Sequence, residues 1–121
     1  MCIRDRAYNI RYLLLYLRQD VRLLDGSGGL ATEEAELMSE KSLLVAVSFR
    51  YYAREVVDIV EGTARKNIPI LAITDSQLSP LNKHATCSLV VPRAGHKFSY
   101  SLAASLCLAQ SLIISLSLIH I

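Results

Sequence analysis

Apolar and polar positions along this chain follow two rhythms, one of helical spacing and one of short unbroken apolar runs, and the switches between them outline alternating helices and strands. From Ala7 to Gln19 the apolar residues Ile10, Leu13, Leu14 and Leu17 recur at helical spacing with Arg11 and Arg18 between them, which predicts a first helix. Val21-Arg22-Leu23-Leu24 reads as a short strand. Asp25-Gly26-Ser27-Gly28-Gly29 breaks the chain with glycines, which permit the positive φ of a tight turn. Thr32 is expected to cap the next helix, with Glu33, Glu34 and Glu36 in its first turns, where the helix dipole favours negative charge.

Ser42 to Phe49 is an almost continuous apolar run, the pattern of a parallel strand buried on both faces. The helix after it carries Val56, Val57, Ile59, Val60 and Ala64 against Arg54, Glu55, Asp58 and Glu61, an amphipathic arrangement. Asn67 and the Ile68-Pro69 step should close it. Pro69 to Asp75 predicts a second buried strand, Ser79-Pro80 a turn or short helix with proline near its first position, and Cys87 to Pro92 a last strand before a long helix from about Ser99. Alternation of this kind implies a three-layer α-β-α arrangement around a parallel sheet. The chain opens on a helix, so a first strand is expected to be missing.

The two ends stand apart from this pattern. One back-translation of Met1–Arg6 has a reverse complement that encodes Leu116–Ile121, so residues 1–6 and 116–121 are expected to be read-through of a sequencing adapter, leaving residues 7–115 as the protein itself. Setting them aside removes Arg4, Arg6 and Asp5 and takes the formal charge from +2 to about +1. A near-neutral balance gives no electrostatic footprint for nucleic acid within this segment. Cys87 and Cys107 have no metal-ligand spacing and are expected to be buried free thiols in a reducing cytoplasm. The apolar stretch from Ser101 contains Ser105, Gln110 and Ser111, and is expected to be a helix packed on a sheet or a partner subunit rather than a membrane span.

In an open parallel sheet, ligands bind beyond the carboxyl ends of the strands. Three segments qualify: Gly26 to Gly29, Ser48 to Arg54, and Thr74-Asp75-Ser76. At the second, a helix N-terminus favours an anion, and Arg50 and Arg54 could add charge-assisted bonds to a phosphate. The same residues also suit a plainer role, in which Ser48 caps the helix, the arginines are solvated, and Tyr51 and Tyr52 pack a subunit interface. Thr74 and Ser76 are candidates for ligand contact or for turn and cap chemistry. His84 and His96 stand alone without metal-ligand spacing. No nucleophile-base pair, no paired carboxylates at a loop and no Gly-x-Gly-x-x-Gly fingerprint is readable, so neither an enzyme nor a bound cofactor is expected.

Leu44-Val45-Ala46-Val47-Ser48-Phe49 followed by Arg54-Glu55-Val56, and Pro69-Ile70-Leu71-Ala72-Ile73-Thr74-Asp75-Ser76 followed by Leu78-Ser79-Pro80-Leu81, resemble the SIS (sugar isomerase) domain of MurR/RpiR-type transcriptional regulators over about residues 7 to 115. The resemblance implies a flavodoxin-like α/β fold that binds a phosphorylated sugar or related carbohydrate derivative through Ser48, Arg50, Tyr51, Arg54, Thr74 and Ser76. It also implies a homodimer or homotetramer, and DNA binding through a helix-turn-helix domain upstream of this segment. SIS domains carry Ser-x-Ser-Gly-x-Thr after the corresponding strand. Here Ser48 keeps the first serine, whereas Arg50, Tyr51 and Ala53 replace the second serine, the glycine and the threonine. Loss of that glycine removes the close backbone approach of a phosphate cradle. A sugar-phosphate isomerase, or an assembly module without ligand, is the alternative.

Overall fold

In the computed structural model, which describes residues 3–17, 20–24, 27–49, 52–91 and 103–119, the apolar runs become strands. They are β1 (Leu44–Val47), β2 (Ile70–Thr74) and β3 (Cys87–Val90), with β2 central and parallel to both neighbours. The helices are α1 (Ile3–Leu14), α2 (Ala31–Glu36), α3 (Arg54–Arg65) and α4 (Ala103–Ile119), with 3-10 turns at Ser27–Gly29 and Pro80–Lys83. The α/β class and the parallel sheet are those expected from the sequence. The chain divides into two compact units, Leu24–Pro92 and Met1–Leu23 with Arg93–Ile121.

In the unit that holds the sheet, Leu44 is in register with Ile70 and Ala46 with Ala72. Side chains alternate between faces along a strand, so these four share one face. They form a core with Val60 of α3 and with Leu81, and Val56, Val57 and Ala64 pack against it. Ala46 and Ala72 present only methyl groups at the middle of that face, where Val60 is 1% exposed. Two small residues in register give the helix a shallow seat.

α3 ends in a Schellman motif. The N–H of Ile68 donates to the Thr63 carbonyl and that of Asn67 to the Ala64 carbonyl, with Asn67 at φ 59°, the left-handed conformation this motif uses. Asn67→Gly should leave thermal stability unchanged or slightly raised. Asn67→Val should lower it by about 1–2 kcal/mol in chemical denaturation, because a β-branched residue meets the following carbonyl there.

Other expectations need correction. Residues Val21–Leu24 form no strand; an apolar run of that length interrupted by Arg22 has too few partners to commit. The N-cap of α2 is Leu30, whose carbonyl accepts from the Glu34 N–H, and not Thr32. Cys87 and Cys107 are exposed: Cys87 opens β3, and Cys107 lies on the helix face opposite Ser105 and Ala109. In the second unit α4 packs on α1, burying Ser105, Ala109 and Ile113 at four-residue spacing, together with Ile10. Both helices run into the terminal hexapeptides, from Ile3 and to Ile119. Among the described residues no helix is long and apolar enough to cross a membrane.

Candidate functional site

The carboxyl edge of the sheet carries Ser48 directly after β1 and Thr74 at the end of β2. Ser48 follows β1 and prolongs its ladder, its N–H donating to the Ile73 carbonyl at 3.0 Å. Because Val47 is in register with Ile73, Ser48 falls beside Thr74. By alternation, both side chains lie on the face that α3 covers. Each is fully buried at 0% exposure, and neither hydroxyl has a hydrogen-bond partner among the described residues. Leaving a buried hydroxyl unpaired costs about 1–3 kcal/mol. Two such groups side by side at a strand end, where interiors ordinarily satisfy their polar atoms, point to a functional constraint.

Beside them, α3 begins without a side-chain cap. Its N-cap is Ala53, extended at φ −61° and ψ 127°, whose side chain makes no cap hydrogen bond. Such an end favours an anion, and Arg54, exposed in the first turn, adds a positive charge. Ser48 therefore does not cap α3; it stays in the sheet as a buried donor. Arg50 and Tyr51 lie outside the described residues.

The segment after β2 is held by its own bonds. Ser76 Oγ accepts from the Leu78 N–H at 3.1 Å, and Asn82 Nδ2 donates to the Ser76 and Gln77 carbonyls. Ser79 Oγ accepts from the Leu81 N–H, capping the 3-10 helix behind Pro80. The Ser76 hydroxyl is thus engaged in turn formation, one of the two roles open to it from sequence.

Tyr52 turns inward and is only partly buried. Its ring packs against the core, and its phenol donates to Asp75 Oδ1 at 2.6 Å. Burial first, and this bond second, hold the phenol above its ordinary pKa. The Thr74 hydroxyl acts on the same phenol in the opposite sense but falls outside hydrogen-bond geometry. No spacing rule pairs residues 52 and 75 in advance; only the parallel register brings these strand ends together.

At the other, amino-terminal edge of the sheet, Glu61, Ala64, Arg65 and His84 line an open groove of about 450 Å³, with His84 Nε2 3.9 Å from Glu61 Oε1. Among the described residues, no cluster of His, Cys, Asp and Glu could hold a metal ion.

A family model described as SIS domain matches residues 7–115. Similar solved structures include an RpiR transcription factor and a NanR protein. The sugar isomerase domain of an RpiR transcription factor from Sphaerobacter thermophilus has a TM-score of 0.78 and 22% identity, over 94% of this chain and 64% of that one. The NanR protein of Vibrio vulnificus, complexed with ManNAc-6P, has a TM-score of 0.69 and 25% identity, over 92% of this chain and 44% of that one. The chain thus spans less than two thirds of either. No curated protein matches the sequence. The motifs at β1 and β2 and the family match agree, and the chain belongs to the SIS domain family.

Proposed function

We propose that this domain is the effector-sensing part of an RpiR-type transcriptional regulator and binds a phosphorylated sugar at the carboxyl edge of β1 and β2. The observation that carries this is the pair of buried, unpartnered hydroxyls of Ser48 and Thr74 beside the uncapped start of α3. In that arrangement the helix N-terminus takes the phosphate, Arg54 attracts it, and Ser48 and Thr74 donate to ligand oxygens. Arg50 and Tyr51, from the same segment, complete the proposed contacts. The domain senses and does not catalyse, with no cofactor. One similar protein is a transcription factor by name, and the other is complexed with ManNAc-6P.

Residues 7–115 are on this view a partial SIS domain in a cytoplasmic protein that reaches DNA through a separate helix-turn-helix domain. Assembly into a dimer or tetramer is supported by the large apolar side chains exposed in the second unit, Tyr12, Tyr16 and Ile114 among them.

Calorimetric titration of the full-length protein with ManNAc-6P, glucose 6-phosphate and inorganic phosphate tests this. At least one sugar phosphate should bind saturably and more tightly than phosphate alone. Arg54→Ala should weaken that binding about threefold at low salt, chiefly through a slower association rate, with the difference shrinking as salt is added. Absence of saturable binding to every ligand would overturn the sensing role.

A further inference from the structure

Tyr52 stands immediately before the N-cap of α3, and Asp75 immediately after β2. The bond between them, at 2.6 Å, joins a side chain from the start of α3 to the end of the neighbouring strand. We infer that Tyr52 and Asp75 are a positioning pair for the anion site: their hydrogen bond fixes the uncapped first turn of α3 beside the Ser48 and Thr74 hydroxyls. This rests on the proposed phosphosugar site and adds how its geometry is held.

One physical point supports it. A helix start with no side-chain cap has no cap bond to hold its first turn in place, and hydrogen bonding to an anion tolerates little misplacement. Tyr52 supplies that hold from one residue upstream, since its ring is seated against the core and its phenol is tied to the end of β2. Removing the phenol hydroxyl therefore loosens the helix start.

Substitution in the full-length protein tests this, with ManNAc-6P as the probe. Tyr52→Phe should weaken binding about tenfold to a hundredfold, the range for a hydrogen bond to a charged group. Asp75→Ala, which deletes the acceptor, should weaken binding similarly. Asp75→Asn keeps an acceptor oxygen while removing the charge, and should bind within about threefold of wild type. A role of Asp75 as a repulsive charge alone would make both Asp75 variants bind more tightly, which overturns positioning. Tyr52→Phe binding as wild type does, with wild type saturable, overturns the pair and leaves the site standing. Failure of wild type to bind overturns the site and the pair with it. Should Tyr52→Phe not fold, the contrast between Asp75→Ala and Asp75→Asn decides alone.

Discussion

Leu81→Ala should destabilise the domain by about 2–5 kcal/mol, seen as a lower urea midpoint with an unchanged slope. Leu81 is 0% exposed and shares the core with Ile70, Ala72 and Val60. The cost depends on how far the surroundings can close over the lost atoms, and here they are held. Ser79 caps the 3-10 helix from one side, and the His84 and Ala85 N–H groups both donate to the Leu81 carbonyl from the other. The backbone cannot collapse inward without breaking those bonds, so the value should fall in the upper half of the range. Leu78, in the same turn but 92% exposed, provides the control: Leu78→Ala should change stability by no more than about 0.5 kcal/mol. Equal effects at the two positions would show that the turn carries no core.

Thr74→Val should move stability and binding in opposite directions. Valine matches threonine in shape and removes a buried hydroxyl that has no partner among the described residues, so the ligand-free protein should gain about 1 kcal/mol. The same change deletes a proposed donor to the phosphosugar and should weaken its binding about tenfold. Stability–function opposition of this kind is expected where a site keeps polar groups unsatisfied for a ligand. Thermal unfolding with and without ManNAc-6P reads both quantities. A destabilised Thr74→Val would mean that the hydroxyl is satisfied in the folded protein, and the proposed site at this edge would lose one of its two donors.

Much of this arrangement was legible in the sequence because its signals are local. The apolar runs at Leu44 and Ile70 admit only buried parallel strands, Asn67 before Ile68-Pro69 marks a left-handed helix end, and Ser79-Pro80 marks a capped turn. Ser48 and Thr74 could be placed at strand ends from the same runs. Where the sequence misled, the signal was short or depended on surroundings. Val21–Leu24 has the composition of a strand but no pairing in the structure. The cysteines are chemically suited to a core, yet Cys107 falls opposite the buried stripe of α4 and Cys87 at a strand mouth. Tyr52 was the hardest, since its partner is 23 residues away and is chosen by the order of strands rather than by any motif.

The seat formed by Ala46 and Ala72 ties packing to sensing. α3 rests on those two methyl groups, and its first turn is the proposed phosphate contact, so the height of the helix above the sheet is also the height of the ligand's hydrogen-bond donors. An added methyl at either alanine would tilt or lift the helix as a lever pivoting near Val60. Residues that never touch an effector could in this way set how tightly it is held, and sequence drift within the core becomes a route by which related sensors part in affinity while keeping the same polar residues at the edge.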